Sequence, residues 1–387
     1  MKRRKILLGL IAAASLSLLG TVGCGGSSSS RTNGPVSEAS VARSVSESRV
    51  RKSMPALAAA AVNAQGISRA VTGVRLQGTN QNVQINDRFH IGSNTKAFTA
   101  TLLAVYVEEG RLAWNTRLLD VFPELTNQVH PAYRNVTLEQ LLSHTSGLPG
   151  LETLDTILQI PPFSGDVMRQ RREFTAWVLT QEPVVSAGEF SYSNAGYGVA
   201  AAMLEKVVGE SYESLMRRRI FQPLGMNAAG FGWPSLTDPN SPRGHIRNED
   251  GTVGTIDEND PVLRIPPILA PAGDIHLSIN DFARFVQMHL RGLRGQRTLL
   301  RPETVQKMHA PAVRVTPPDQ PAAFYALGWT VVEIDGVQTS AHNGSADTFY
   351  SNAAIQSSRN RAVVAVTNIY SEEVASEIDT LSETLSQ

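Results

Sequence analysis

The pattern of apolar and polar positions changes character several times along the chain. Behind the basic residues Lys2, Arg3, Arg4 and Lys5, nearly every position from Ile6 to Val22 is apolar or small. Gly25 to Pro35 (GGSSSSRTNGP) then carries no core-forming side chain and reads as a flexible tether. Apolar residues return at helical spacing from Val36 to Lys52, beside a serine-rich polar face, and predict an N-terminal helix. Pro55 to Thr79 holds two apolar runs split at Gln65-Gly66, the pattern of strand, turn, strand. From Thr95 to Glu109, Ala97, Leu102, Leu103, Val105 and Tyr106 mark a largely apolar helix that Gly110 stops.

The middle of the chain is irregular and helical. Thr137-Leu-Glu-Gln140 is a capping box opening a short helix. Asn194 to Glu210 reads as a buried helix, and SYESLMRRRIFQPLGM begins another that Pro223 halts. Ser278 to Gly292 is a helix with Ser278 or Asn280 as cap, and Pro302 starts a short one. Towards the C-terminus, YALGWTVVEIDG, VQTSAHNG, FYSNAAIQSS and RAVVAVTNIY are strand-like runs with short connections, which favour antiparallel neighbours. A last helix covers about Ser371 to Leu385. Two strands open the body, helices fill its middle and several strands close it. The expected fold is therefore α+β: one antiparallel sheet joining both ends and flanked by helices, with a mostly helical lobe over roughly 113–265.

Composition narrows the function. The 387 residues are 42% hydrophobic, enough to bury a sizeable core. Charged residues are 18% and net charge is +0, so no field of one sign exists to attract nucleic acid. The apolar run near the start is shorter than the roughly 20 residues that span a bilayer, and its basic flank fits a signal peptide over 1–23. Cys24, the single cysteine, has no partner for an intramolecular disulfide. Its setting after Thr-Val-Gly resembles the bacterial lipobox, which implies cleavage before Cys24 and lipidation of its thiol. Gly25 at the next position resembles the pattern for export to an outer membrane, where the cell has one. The organisation expected is then signal peptide, tether over 24–35 and one domain over 36–387, held to a membrane only by the lipid. The eight histidines are dispersed, with no His-Glu-x-x-His or Cys-x-x-Cys, so neither metal nor cofactor is expected.

The chemistry centres on Ser93 and Lys96. Residues three apart share a helix face, so the lysine can reach the serine hydroxyl one turn away. A serine hydroxyl needs a base to become a nucleophile, and an amine serves once burial lowers its pKa. Of the six lysines, only Lys96 has a serine three positions before it, and it lies in an apolar stretch where a free charge is costly. Two further elements follow, Tyr192-Ser-Asn194 and His342-Asn-Gly344 with Ser345. Tyr133-Arg-Asn135 and Tyr350-Ser-Asn352 repeat the Tyr-x-Asn pattern, but one is too close to Ser93 and the other follows the His-x-Gly strand.

The order Ser-x-x-Lys, Tyr-x-Asn, His-x-Gly resembles the serine β-lactamase and penicillin-binding protein family. The branch it resembles holds class C β-lactamases, D-Ala-D-Ala carboxypeptidases and D-aminopeptidases. LLSHTSGLPG, PLGM, PAGDIHLSINDFARF and LGW match further landmarks, so the resemblance covers roughly Pro55 to Tyr370. It implies a β-lactamase/transpeptidase-like fold with the site between sheet and helical lobe. It implies Ser93 as acylated nucleophile, Lys96 and Tyr192 sharing proton transfer, and Asn194 holding the substrate amide and orienting Lys96. His342 stands where a lysine usually faces the substrate carboxylate. The Ser93 and Ser345 N–H groups would form the oxyanion hole, with Gly344 allowing close approach. His144 in SHTSG is given a structural role, and Trp233 a packing role that can extend to the cleft. Glu124 is discounted, because it precedes the second motif. No Gly-x-Ser-x-Gly occurs, against an α/β-hydrolase. The expected function is an acyl-enzyme serine hydrolase of D-Ala-D-Ala carboxypeptidase or D-aminopeptidase type acting on a small-molecule or peptidoglycan-stem substrate. A carboxylesterase and a non-catalytic wall-binding homologue are the alternatives.

Overall fold

The structure is a computed structural model that describes residues 36–387. The expected signal peptide and tether, with Cys24, lie outside the described residues. The first half contains α1 (Glu38–Arg51), β1 (Ala56–Val62), β2 (Ile67–Gly73), β3 (Phe89–His90), α2 (Thr95–Glu108), α3 (Val167–Val178) and α4 (Asn194–Val208). Next come β4 (Gly230–Phe231), β5 (His245–Arg247), β6 (Val253–Thr255), β7 (Ile275–Leu277) and α5 (Ile279–Leu293). The chain closes with β8 (Val313–Arg314), β9 (Ala323–Tyr325), β10 (Thr330–Ile334), β11 (Val337–Ser345), β12 (Tyr350–Gln356), β13 (Arg361–Thr367) and α6 (Glu372–Ser386). Shorter helical turns, among them Leu138–Leu142, fill the connections.

The two ends of the chain meet in one sheet of order β2-β1-β13-β12-β11-β10-β9-β8, antiparallel throughout. Every residue of β1 and β13 is buried, which places this pair at the covered centre. Alternation sends their side chains to opposite faces. Leu57, Ala59, Val363 and Ala365 pack with Val41 and Val45 of α1 and Ile378 and Leu381 of α6. Ala58, Ala60, Val364 and Val366 face the larger core that includes Phe282, Phe285 and Val286 of α5. Alanine dominates β1 (ALAAAAV), and its small side chains let helices approach closely on both faces.

Behind α5 lies α2, whose residues Thr95 to Tyr106 are all buried. The Phe98 ring of α2 stacks on Phe285 of α5 with centroids 3.6 Å apart. A helix buried all round carries little amphipathic signal, and this one serves as the central pillar between the sheet and the second lobe.

That second lobe contains the expected helices, and five short strands form two small sheets in and beside it. β4 pairs with β7, which pairs with β3, and β5 pairs with β6. Runs of two or three residues are too short to show a period-two alternation, so the sequence pattern gave no sign of them.

Candidate active site

Ser93 sits in a single 3-10 turn, Gly92–Asn94, that feeds directly into α2. Several neighbours fix this turn. The Ile91 N–H donates to the Ile275 carbonyl at 3.0 Å. Asn94 Nδ2 donates to Ser351 Oγ at 2.8 Å, and that hydroxyl donates to the Ile91 carbonyl at 2.7 Å. Two glycines let the turn lie backbone to backbone against the end of β11. A Cβ on Gly92, whose φ is +49°, would fall 2.6 Å from the Ser345 nitrogen. A Cβ on Gly344 would fall 2.0 Å from the Ile91 carbonyl oxygen and 2.7 Å from the Ser93 nitrogen. The backbones of Ser93 and Ser345 are therefore neighbours, as an oxyanion hole needs.

Lys96 is fully buried, and burial holds its pKa well below the usual lysine range, opposed only by the carboxylate of Glu152. Its Nζ has three partners: Asn194 Oδ1 at 2.7 Å, the Ala272 carbonyl at 2.8 Å and Ser93 Oγ at 3.2 Å. A neutral amine has two N–H donors and one lone pair. In that neutral form the two carbonyl-type oxygens take both donors, and the lone pair can accept from the Ser93 hydroxyl. Asn194 is turned the right way for this, because its Nδ2 donates to the Leu151 carbonyl at 3.0 Å and leaves Oδ1 for the lysine.

Tyr192 and Asn194 flank Ser193, which caps α4 by accepting from the Gly196 N–H. The Ser193 hydroxyl also donates to the Pro149 carbonyl at 2.7 Å. The Tyr192 ring centroid lies 4.6 Å from Lys96 Nζ. Its hydroxyl is buried without a hydrogen bond of ordinary geometry, though the Ser93 hydroxyl is close enough to favour the phenolate. Burial prevails and pushes its pKa well above 10, so the group stays a phenol.

Tyr192 is held by His144, whose ring lies 4.2 Å from it, centroid to centroid. His144 Nδ1 accepts the Ser193 N–H at 3.0 Å, which leaves the proton on Nε2, buried and without a partner. His144 has a positive φ of 59°, an uncommon conformation for a non-glycine residue. The SHTSG segment thus shapes the site through Tyr192, a role that residue type alone did not disclose.

His342 lies on β11, two residues before Gly344 and so on the same face. Its Nδ1–H donates to the Asn343 carbonyl, which leaves Nε2 to accept from the Tyr325 hydroxyl at 2.9 Å. Burial, with Lys96 nearby, lowers its pKa to about 3, so the imidazole is neutral. The position that resemblance assigns to a carboxylate-facing cation therefore holds an uncharged ring with both nitrogens engaged. Tyr325, Ala272, Gly92 and Glu152 were not singled out from the sequence. Gly92, immediately before Ser93, was the one with a readable signal.

Beside this centre an apolar pocket is lined by Leu154, Ile157, Trp233, Val262, Ile265 and Ala346, with Asp347 at its edge. Trp233 also packs against His90 and Phe349, so it serves core and cleft together. The two rejected Tyr-x-Asn tyrosines lie elsewhere: Tyr133 in the larger core and Tyr350 in the cluster under α1 and α6. Glu124 pairs with Lys206 at the surface. Among the described residues no group of three or more His, Cys, Asp or Glu is arranged to hold a metal ion.

An antiparallel sheet flanked by helices, with a serine and a buried lysine at the start of a central helix, defines a class: hydrolases of the serine β-lactamase fold. The chain belongs to the Beta-lactamase family, whose profile matches residues 41–385. It is 30% identical over 299 residues to penicillin-binding protein 4 of Amycolatopsis lactamdurans, covering 74% of each chain. Several other relatives are longer, and the match spans little more than half of their length. Among solved structures, the fold is shared with a penicillin-binding protein from Bacillus halodurans, with a TM-score of 0.70, 22% identity and coverage of 88% and 98%. It is shared equally with a D-stereospecific amidohydrolase from Streptomyces sp., with a TM-score of 0.68, 23% identity and coverage of 89% and 98%.

Proposed function

We propose that this protein is a serine hydrolase that forms an acyl-enzyme on Ser93. The observation that carries the reading is the set of three partners around the buried Lys96 Nζ, which in the neutral amine leaves the lone pair for Ser93 Oγ. In acylation, Ser93 Oγ attacks the substrate carbonyl carbon and its proton passes to Lys96. The oxyanion is met by the Ser93 and Ser345 N–H groups, an arrangement typically worth about 3–4 kcal/mol per donor. The bond to the leaving group then breaks. Tyr192, a phenol at neutral pH, donates its proton to the leaving group and is reprotonated from Lys96. Water attacks the ester in the second half, with proton transfer through the same pair. Asn194 orients Lys96 and holds the substrate amide.

The substrate reading follows from charge. D-Ala-D-Ala carboxypeptidases and β-lactamases act on substrates with a free carboxylate beside the scissile bond. A neutral His342 with both nitrogens engaged offers that carboxylate no charge. The D-aminopeptidase-like reading, hydrolysis of D-amino-acid amides or peptides from the amino end, is favoured over these two. A carboxylesterase is the second reading, supported by the apolar pocket beside Ala346. A fluorophosphonate probe tests the first claim: it is expected to label wild type at Ser93 and to leave Ser93→Ala unlabelled. Absence of labelling in the wild type would favour the non-catalytic alternative. Nitrocefin turnover is expected to be slow or absent, and rapid hydrolysis would overturn the charge argument.

The lipobox-like sequence carries a second proposal, that the mature chain is exported and anchored to a bacterial membrane through lipid on Cys24. Bacterial cells expressing the full chain and fed an alkyne fatty acid are expected to label the wild type and not Cys24→Ser.

A further inference from the structure

Glu152 is the acidic side chain nearest the catalytic groups in electrostatic effect, since it acts on both Lys96 and Tyr192. It belongs to a loop that Asn194 fastens beside the nucleophile: the Asn194 N–H donates to the Gly150 carbonyl at 2.8 Å, and its Nδ2 to the Leu151 carbonyl. The carboxyl lies over Gly150, where a Cβ would meet Glu152 Oε1 at 2.8 Å and the Tyr192 carbonyl at 3.2 Å. Glu152 is partly exposed. It has no hydrogen bond and no ion pair among the described residues, and burial, opposed by the more distant Lys96, lifts its pKa to about 7. Two residues on, Leu154 begins the wall of the apolar pocket. Asp347, which also lines that pocket, is a second carboxyl with no basic neighbour acting on it. Arg264, the basic residue lining that pocket, donates to the Glu258 and Asn259 carbonyls instead.

A carboxyl left unpaired beside the nucleophile costs desolvation that a cation from the substrate would offset. Resting on the acyl-enzyme reading above, we propose that Glu152 binds the protonated amine of the substrate's acyl residue. The site then takes a free α-ammonium group on the residue whose carbonyl is attacked, with that residue's side chain directed to the apolar pocket. Substrates capped at that nitrogen lose the contact and leave the carboxyl unpaired. A charge-assisted hydrogen bond of this kind corresponds to about 10- to 100-fold in affinity.

The test compares kcat/KM for D-alanine p-nitroanilide and N-acetyl-D-alanine p-nitroanilide. Wild type is expected to prefer the free amine at least tenfold. In Glu152→Gln that ratio is expected to fall by about 10- to 100-fold, and Glu152→Asp should recover part of it. Reading a ratio removes general damage, because misfolding lowers both rates together. A wild-type preference for the capped substrate, or an unchanged ratio in Glu152→Gln, would overturn the proposal. Fluorophosphonate labelling of Ser93 in the same preparations separates the outcomes. Labelled enzyme with the wrong ratio rejects the ammonium site alone, whereas unlabelled wild type rejects the acyl-enzyme reading on which it rests.

Discussion

At Lys96 a buried amine is useful because it is costly to charge. Replacing it with arginine keeps a cation that does not deprotonate in proteins. Lys96→Arg is expected to lower kcat/KM by about 10²- to 10⁴-fold, the usual contribution of a positioned base. The sign of the pH dependence follows from the same residue. Its folded pKa is lowered, so the free amine persists to lower pH than in an ordinary lysine, and kcat/KM rises with pH along a limb well below the ordinary lysine value of about 10.4. A pH profile placing that limb near 10 would contradict the assignment. His144 acts one step removed, by holding Tyr192 and accepting the Ser193 N–H. In His144→Phe the ring remains and the acceptor is lost. With Tyr192 in its proposed role of proton donor, kcat should fall about tenfold with KM little changed. Steady-state kinetics showing a rise in KM alone would mean that it shapes binding instead.

Among the elements, the turn that carries Ser93 lies backbone to backbone against β11. This contact depends on two missing side chains. Gly344→Ala would place a Cβ 2.0 Å from the Ile91 carbonyl oxygen, an impossible contact with backbone. The turn or the strand must then shift, and the Ser93 and Ser345 N–H groups separate. The expected result is near-complete loss of fluorophosphonate labelling in a protein that keeps its far-ultraviolet circular dichroism. Retained labelling at the wild-type rate would show that the oxyanion donors lie elsewhere. One layer down, Phe285 stacks between Phe98 of the catalytic helix and Trp329. Truncation there should cost stability, about 3–5 kcal/mol for Phe285→Ala by urea unfolding.

Across the whole molecule, buried titratable groups of two kinds oppose one another. His276 and His289 have folded pKa values lowered to about 4 and about 3, and burial is the first cause for each. The unfolded chain binds their protons first, so stability falls as pH drops from about 6.5 through the folded values. Asp347 and Asp379 are raised to about 7, again by burial. Their contribution has the other sign: it favours the fold at acid pH and is lost as pH rises from about 4 to 7. Asp379 accepts from Asn352 Nδ2 of β12 at 3.1 Å and has Glu383 as a repelling neighbour. Asp379→Asn is therefore expected to raise Tm at pH 8 and to change it little at pH 4. An equal shift at both pH values would show that the carboxyl is not held protonated.

Local pattern determined much of this protein. Apolar runs, caps and short connections marked α1, β1, β2, α2, α4 and the C-terminal strands, because those signals live within one turn or one strand. The nucleophile and its lysine were legible for the same reason, since three residues of helix bring them together. The paired glycines, the Tyr325–His342 hydrogen bond, the Ala272 carbonyl and the unpaired carboxyl of Glu152 were settled by tertiary structure alone. Each depends on segments between roughly 17 and 250 residues apart meeting at a few ångströms. Charge state depends on the same packing. A sequence names a lysine, a histidine and a glutamate, but burial and partners decide which way each pKa moves and which side chain is left without a hydrogen bond.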